Sequence, residues 1–191
     1  MIVDAWAQIT TERMARAPWL ATLLRWTGRP EDQSVQSPQS TLAAMDAAGV
    51  DIALLSAWYG PQGPLITNEE VADQIAAAPD RFRGLASADI TNPMQAVRDL
   101  RQWVDGKRFV GVRIVPWLWD LPPNDRRYYP LYAACVDLGV PLCTQIGHTG
   151  PLKRSECGRL IPYLEDVLLD FPELVVVGGH VGFPWLDELV T

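Results

Sequence analysis

The stretch ELVVVGGH, residues 173–180, contains the pattern that recurs along the chain. A run of apolar, mostly β-branched residues leads into two glycines and ends on a histidine. Short apolar runs bounded by turn residues are typical of strands that are buried on both faces of a parallel sheet. Runs of the same kind occur earlier in the chain: MIVDAWA (1–7), VDIALLSAW (50–58), RFRGLASAD (81–89), RFVGVRIVPW (108–117) and GVPLCTQIGH (139–148).

Segments of helical periodicity separate these runs. Their apolar residues recur at i, i+3 and i+4, which predicts amphipathic helices between the strands. The alternation of strand and helix indicates an α/β protein with a parallel sheet. The helical segments are SPQSTLAAMDAAG (37–49), TNEEVADQIAAAPD (67–80), TNPMQAVRDLRQWV (91–104), RRYYPLYAACVDLG (126–139) and LIPYLEDVLLDFPE (160–173).

The spacing of the units favours a TIM-barrel topology. They recur about every 30 residues, as in a (β/α)8 barrel, whose eight units need on the order of 250 residues. A chain of 191 residues supplies about six units, so we predict an incomplete barrel. The competing fold, a doubly wound open sheet, usually carries GxGxxG or GxxxxGK[ST] after a strand, and neither pattern occurs here.

We expect residues 1–191 to form a single domain with one insertion. Residues 10–40 fit the strand–helix rhythm poorly because they contain Pro18, Gly28-Arg29-Pro30 and the polar stretch EDQSVQSPQS. We interpret this segment as a helix followed by a loop that covers one end of the sheet.

Composition restricts the classes of partner. The formal net charge is −7 and no long basic cluster is present, which argues against nucleic-acid binding. Three cysteines without CxxC spacing are typical of a reducing compartment, so we expect a cytoplasmic protein. The N-terminus has no basic region, and no apolar run is long enough for a membrane span, so we expect neither a signal peptide nor an anchor.

Chemistry-bearing residues cluster at the predicted carboxyl ends of the strands, where parallel α/β folds place their active sites. Both histidines of the chain, His148 and His180, end neighbouring strands, so one metal ion or one substrate atom lies within reach of both rings. Arg113 is a candidate partner for a substrate carboxylate, with a salt bridge to an internal acid such as Asp89 as the alternative. The remaining members of this face are candidates for lining an aromatic or apolar substrate pocket: Trp6, Trp58, Trp117, Trp119 and Trp185.

A nucleophilic serine or cysteine is a weaker hypothesis. The chain has no GxSxG motif, and Cys143 lies in the middle of a predicted strand, where a buried, inert thiol is the better interpretation.

Several stretches, taken in order, resemble the amidohydrolase-related branch of the amidohydrolase superfamily. They span nearly the whole chain: MIVDAW, MDAAGVDIALLS, NEEVADQIAAAPDRFRGLASAD, FVGVRIVPW, YYPLYAACVDLGVPLCTQIGHTG and DFPELVVVGGHVGFPW. The resemblance implies a TIM barrel and a metal-dependent hydrolase or a non-oxidative decarboxylase of aromatic and related acids.

The same resemblance implies site residues and a divalent metal, zinc being the expected ion. By position, His148 corresponds to the family's fifth-strand ligand and His180 to its sixth-strand catalytic histidine. Trp6 and Gln8 stand where the family has an H-x-H or E-x-H ligand pair. Tryptophan cannot ligate a metal, so Gln8 is the remaining first-strand candidate and is a weak ligand for a zinc-type ion. The family's eighth-strand aspartate has no counterpart in the sequence.

Three functions follow as hypotheses. The first is a metal-dependent hydrolase of a small aromatic or carboxylate-bearing molecule, in which His180 activates a metal-bound water. The second is a non-oxidative decarboxylase of an aromatic acid. The third is a truncated or non-catalytic family member that acts as a binding or interaction module. Because an incomplete barrel leaves its first and sixth strands as edges, we also expect association into a homo-oligomer.

Overall fold

The fold is built on one sheet of parallel strands. The computed structural model describes residues 1–29, 35–151 and 153–190. In chain order its strands are β1 (Val3–Ala7), β2 (Ile52–Ser56), β3 (Trp58–Gly60), β4 (Gly63–Ile66), β5 (Phe82–Ala86), β6 (Phe109–Arg113), β7 (Leu142–Gln145) and β8 (Val176–Gly179).

Helices follow the strands as predicted. In chain order they are α1 (Glu12–Ala15), α2 (Pro18–Trp26), α3 (Pro38–Ala48), α4 (Asn68–Ala77), α5 (Pro93–Trp103), α6 (Pro116–Trp119), α7 (Tyr129–Leu138), α8 (Tyr163–Asp170) and α9 (Leu186–Leu189), with a 3-10 turn at Glu156–Gly158.

The main sheet contains six strands in the order β1-β2-β5-β6-β7-β8, and every neighbouring pair is parallel. Each of these strands lies inside one of the apolar runs that the sequence marks. The strands and their intervening helices form a partial TIM barrel, which confirms the predicted fold class. Large apolar side chains such as Leu55, Phe82, Phe109 and Leu142 fill the space around the sheet and are fully buried.

Two local features differ from the sequence prediction. The fourth apolar run ends as a strand at Arg113, and residues 116–119 form the short helix α6. Pro116 has no backbone N–H to donate to a sheet but fits the first turn of a helix. The second run continues into an unexpected hairpin, β3–β4, whose strands pair through Gly60 and Gly63.

The segment 10–40 supplies two helices, α1 and α2, before α3 begins at Pro38. The part of the predicted loop at residues 30–34 lies outside the described residues. The Thr11 side chain caps α1 and also donates a hydrogen bond to the Leu65 carbonyl oxygen in β4 at 2.6 Å. This bond joins the segment to the hairpin.

Among the described residues, no helix is both long enough and apolar enough to cross a bilayer.

Candidate functional site

Arg113 occupies the carboxyl end of β6 and is the largest fully buried side chain, with 1% of its surface exposed. Its guanidinium carbon lies 3.3 Å above the centroid of the Trp6 ring and 5.5 Å from that of the Trp58 ring. A cation over an aromatic face is attracted by the negative face of the ring. The end of β1 and the start of β3 therefore supply the aromatic surroundings of this one charge.

This buried charge has no counterion among the described residues. Its closest polar partner is the Ser56 hydroxyl, at 3.5 Å from Nη1, and its Nε has no hydrogen-bond partner. The alternative partner suggested by the sequence, Asp89, instead accepts two hydrogen bonds of 2.8 Å from Thr91. Burial lowers the pKa of Arg113 to about 9, so the guanidinium keeps its charge at neutral pH. A buried, unpaired cation is costly, and an anion that joins it removes that cost.

A cluster of indole rings adjoins Arg113. Trp19 of α2 stacks on Trp58 at 6.1 Å, and Trp117 contacts Trp19 and Trp58 edge-on at 5.0 and 6.0 Å. The Trp117 Nε1 donates to the Gln145 side-chain oxygen at 2.8 Å, which orients the ring against β7. The structure thus brings two predicted tryptophans, Trp58 and Trp117, into one aromatic wall.

The remaining predicted tryptophans lie apart from that wall. Trp119 Nε1 donates to the Tyr59 carbonyl oxygen at 3.0 Å and joins α6 to the hairpin. Trp185 is half-buried against the hydrophobic core, and no aromatic ring of the described residues contacts it. We therefore restrict the candidate binding surface to Trp6, Trp19, Trp58 and Trp117.

His180 follows β8 directly and contacts the edge of Trp6 at a ring-centroid distance of 5.0 Å. Its φ is 74° and that of Val181 is 51°, a left-handed conformation that is strained for both residue types. Burial and, second, the charge of Arg113 lower the pKa of His180. The imidazole is consequently neutral at pH 7 and suited to accept a proton.

The close approach of Trp6 to β8 depends on a glycine. A Cβ atom built at Gly179 would stand 2.5 Å from an atom of the Trp6 ring. Only glycine leaves room for the indole at this position. Trp6, His180 and Arg113 therefore form one contact group at the gap between the first and last strands.

The sequence predicts one ion or substrate atom within reach of both His148 and His180, whereas the structure gives His148 a partner of its own. It lies three residues beyond the end of β7, and its Nδ1 forms a hydrogen bond of 2.9 Å with the Ser155 hydroxyl. Its backbone N–H donates to the Phe183 carbonyl oxygen at 2.6 Å. The loops that carry His148 and His180 are thus packed together, although each imidazole has its own partner.

The donor atoms present do not fit a metal centre. The described residues contain no group of three His, Cys, Asp or Glu side chains that could hold an ion. The Gln8 side-chain oxygen is buried without a partner, but the amide borders a cleft shared with α3, together with Gln36 and Ser37. Trp6 offers no ligand atom, and its ring is covered by a guanidinium cation.

The cysteines do not supply a nucleophile either. All three are free and buried. Burial raises the pKa of Cys135 to about 12 and that of Cys157 to about 11, and it also raises the pKa of Cys143. Because the thiolate is the reactive form, these side chains are inert at neutral pH.

Sequence reasoning missed two members of the site. Trp19 lies in the irregular segment 10–40, where no strand rhythm points to it, and only the fold brings α2 over the strand ends. Gln145 ends β7, and its side chain receives the Trp117 bond and donates to the His148 carbonyl oxygen at 3.1 Å. The position of Gln145 at a predicted strand end was the available signal for its role.

Comparisons with known proteins agree with this architecture. The protein-family model described as Amidohydrolase matches residues 3–191. The γ-resorcylate decarboxylase of Rhodococcus jostii (strain RHA1) is 33% identical over an alignment of 147 residues, and the match covers 60% of this chain and 44% of that protein. The chain thus matches less than half the length of this curated relative.

Two solved structures share the fold. An uncharacterised TIM-barrel protein from Bordetella bronchiseptica superposes with a TM-score of 0.78 at 24% identity, over 99% of this chain and 70% of that one. A dihydroxybenzoic acid decarboxylase from Polaromonas sp. JS666, described with bound manganese, superposes with a TM-score of 0.66 at 18% identity, over 95% and 65%. At these identities the likeness shows the fold alone.

The match of the family model from residue 3 to residue 191, together with the partial TIM barrel, shows that this chain belongs to the amidohydrolase family.

Proposed function

We propose that this chain binds a small aromatic carboxylate at Arg113 and acts in its non-oxidative decarboxylation. The observation that carries the proposal is the buried guanidinium without a counterion among the described residues. The planar fork of an arginine matches the two oxygens of a carboxylate, and such charge-assisted bonds are strong in a buried site.

The aromatic part of the ligand is inferred from the indole rings. The Trp58 ring centroid lies 5.5 Å from the Arg113 guanidinium carbon, and Trp117 contacts Trp58, so buried indole rings stand next to the charge. An aromatic ring placed there gains stacking and burial that an aliphatic chain would gain less well. Two of the relatives named above are decarboxylases of dihydroxybenzoates, which are planar, aromatic and anionic.

Binding requires a movement of Trp6. Arg113 is 1% exposed, and the Trp6 ring covers one face of its guanidinium. An anion reaches the N–H groups of the guanidinium only when neighbouring side chains shift. Trp6 stands on an edge strand and is half-buried, so we assign this movement to its ring.

His180 is the proposed proton carrier. In a non-oxidative decarboxylation the bond between the ring carbon and the carboxyl carbon breaks, carbon dioxide leaves, and a proton takes the vacated position on the ring. A carboxylate bound at Arg113 offsets the charge that lowers the pKa of His180, so the imidazole gains a proton more readily in the complex. It then delivers that proton to the ring carbon.

Hydrolysis is our second candidate. The carboxylate-binding role of Arg113 is the same for either reaction, so product identity separates them.

The test is turnover of γ-resorcylate by the purified chain, measured as 1,3-dihydroxybenzene by chromatography and as released carbon dioxide. We expect both products in equal amounts from the wild type. The test variant is His180→Asn, because asparagine tolerates the positive φ at this position. We expect it to lower turnover about 100-fold or more, as the loss of an acid–base group does, while γ-resorcylate still binds. Absence of product from a wild type that binds the acid contradicts the decarboxylase assignment.

A further inference from the structure

The positive charge of this site lies over Trp6, near the end of the first strand. The family resemblance puts a pair of metal ligands at the end of the first strand, but this chain has Trp6 and Gln8 there. The guanidinium carbon of Arg113 lies 3.3 Å from the centroid of the Trp6 ring. A fixed organic cation thus occupies the face of the residue that replaces a metal ligand.

We propose that the Arg113 guanidinium, held against Trp6, takes the place of a divalent metal as the permanent positive charge, so that aromatic carboxylates bind here without any metal ion. The inference rests on the proposed function, since it concerns the same ligand and the same site. It adds that the charge needed to bind the anion is built into the polypeptide.

The first argument is electrostatic. Two cations close together in a poorly solvated site repel one another, and the repulsion exceeds that in water because the surroundings screen it less. The position of Arg113 is fixed, because its backbone belongs to β6 and its side chain is fully buried. A divalent ion beside Trp6 would add a second, larger charge next to one that already lacks a counterion.

The second argument concerns the available ligands. The His148 Nδ1 is hydrogen-bonded to the Ser155 hydroxyl, and the His180 ring contacts the Trp6 ring in a T-shaped arrangement. Gln8 offers only a neutral oxygen on a cleft that it shares with α3. Catalytic zinc normally has three protein ligands, and the described chain brings no such trio together.

The third argument concerns ligand geometry. A metal ion accepts one or two carboxylate oxygens from many directions, whereas a guanidinium presents parallel N–H groups in one plane. The Trp58 ring centroid lies 5.5 Å from the guanidinium carbon, so an aromatic neighbour still stands beside the guanidinium when the Trp6 ring moves. The site should therefore bind planar carboxylates in one orientation, and a lysine should replace Arg113 poorly.

The experiment combines metal analysis with calorimetry on the full chain. Protein dialysed against EDTA is analysed for bound metal and titrated with γ-resorcylate, and the titration is repeated with added Mn²⁺. We expect well under one equivalent of metal and dissociation constants that agree within about twofold, a difference too small to reflect a lost ligand contact. Arg113→Lys should weaken binding about tenfold or more in both titrations, because it keeps the charge but loses the fork.

The failure modes are distinct. Binding that is present with Mn²⁺ and about tenfold or more weaker after EDTA overturns metal independence and leaves the proposed function in place. An unchanged affinity in Arg113→Lys, with the far-ultraviolet spectrum of the wild type, overturns the role of the guanidinium fork. Absence of binding with and without Mn²⁺ overturns the proposed function and this inference together.

Discussion

At the scale of single residues, the site differs from the pattern that the family resemblance implies at a few positions, and these differences change its chemistry. Trp6 stands where the family resemblance expects a ligand, and it stacks on Arg113 instead. His180, which the resemblance aligns with the family's sixth-strand histidine, contacts the same indole ring. One tryptophan thus links the charge and the proton carrier of the proposed site.

The sequence located several of these residues because they follow apolar runs. Arg113 and His180 were predicted at strand ends, and the structure places them there. Their contact through Trp6 could not be predicted, because it depends on how far the sheet curves from β1 to β8. The sequence also could not show that the guanidinium lacks a counterion among the described residues. Asp89 was the alternative partner, and only the structure shows that it accepts hydrogen bonds from Thr91 instead.

The packing of Trp6 against β8 predicts a size limit at Gly179. Gly179→Ala places a methyl group 2.5 Å from the Trp6 ring, so the indole or the strand must shift. Overpacking of this kind costs about 1–3 kcal/mol of unfolding free energy, which thermal melts should detect. Gly60→Ala is the matched control, because its added Cβ would stand at an ordinary 3.7 Å from Leu118. Equal melting temperatures for the two variants would contradict the proposed packing of Trp6.

At the scale of elements, β6 delivers Arg113, and the turn that precedes the strand fixes its start. The Asp105 carboxylate accepts backbone hydrogen bonds from Lys107, Arg108 and Phe109 at 2.9, 2.7 and 3.1 Å. Burial raises the pKa of Asp105, but these bonds and the Arg108 side chain outweigh it and hold the pKa well below its usual range.

This turn gives a pH-dependent prediction. Because the pKa of Asp105 is lower in the folded state, its stabilisation is complete above the unfolded pKa near 4 and is lost as the pH falls. Asp105→Asn should cost about 1 kcal/mol at pH 7, a value reduced for the partial exposure of the carboxylate. Chemical denaturation at pH 7 and at pH 3 should show the wild-type advantage shrinking at the lower pH. An advantage that grows on acidification would contradict the assignment.

Element types followed from the sequence better than element boundaries did. All six strands of the sheet match apolar runs, because burial on both faces demands such runs. The hairpin β3–β4 was missed, since its first residues continue an apolar run and the break at residues 60–64 marks a turn without showing that a paired strand follows it. The short helix α6 was missed for the same reason, as Pro116 and Trp117 prolong the apolar stretch of β6.

At the scale of the whole molecule, the sheet has two edges. β1 and β8 each have one neighbour among the described strands. Apolar side chains near these edges are exposed: Ile2, Val3, Val175, Val181 and Phe183. Unpaired edges beside exposed apolar residues promote pairing with another chain, so we propose that this chain associates with further copies of itself.

Association is measurable by light scattering coupled to size exclusion. We expect the wild type to exceed the monomer mass of 21.2 kDa, with the fraction of larger species rising with protein concentration. Val175→Lys adds a charge beside the edge strand β8 and should shift the species toward monomer. Met94→Lys changes an equally exposed apolar residue on α5 and should have no effect. A strictly monomeric wild type at all concentrations would contradict the proposal.

The most direct test of the account is calorimetric binding of γ-resorcylate and of its neutral analogue 1,3-dihydroxybenzene. Since the unpaired Arg113 charge is the central observation, the acid should bind the wild type about tenfold or more tightly than the analogue, as expected for a buried charge-assisted bond. Arg113→Met should abolish that difference, whereas Arg101→Met, which removes an exposed arginine paired with Asp137, should preserve it. Equal affinity of the acid for the wild type and for a folded Arg113→Met variant would contradict the account.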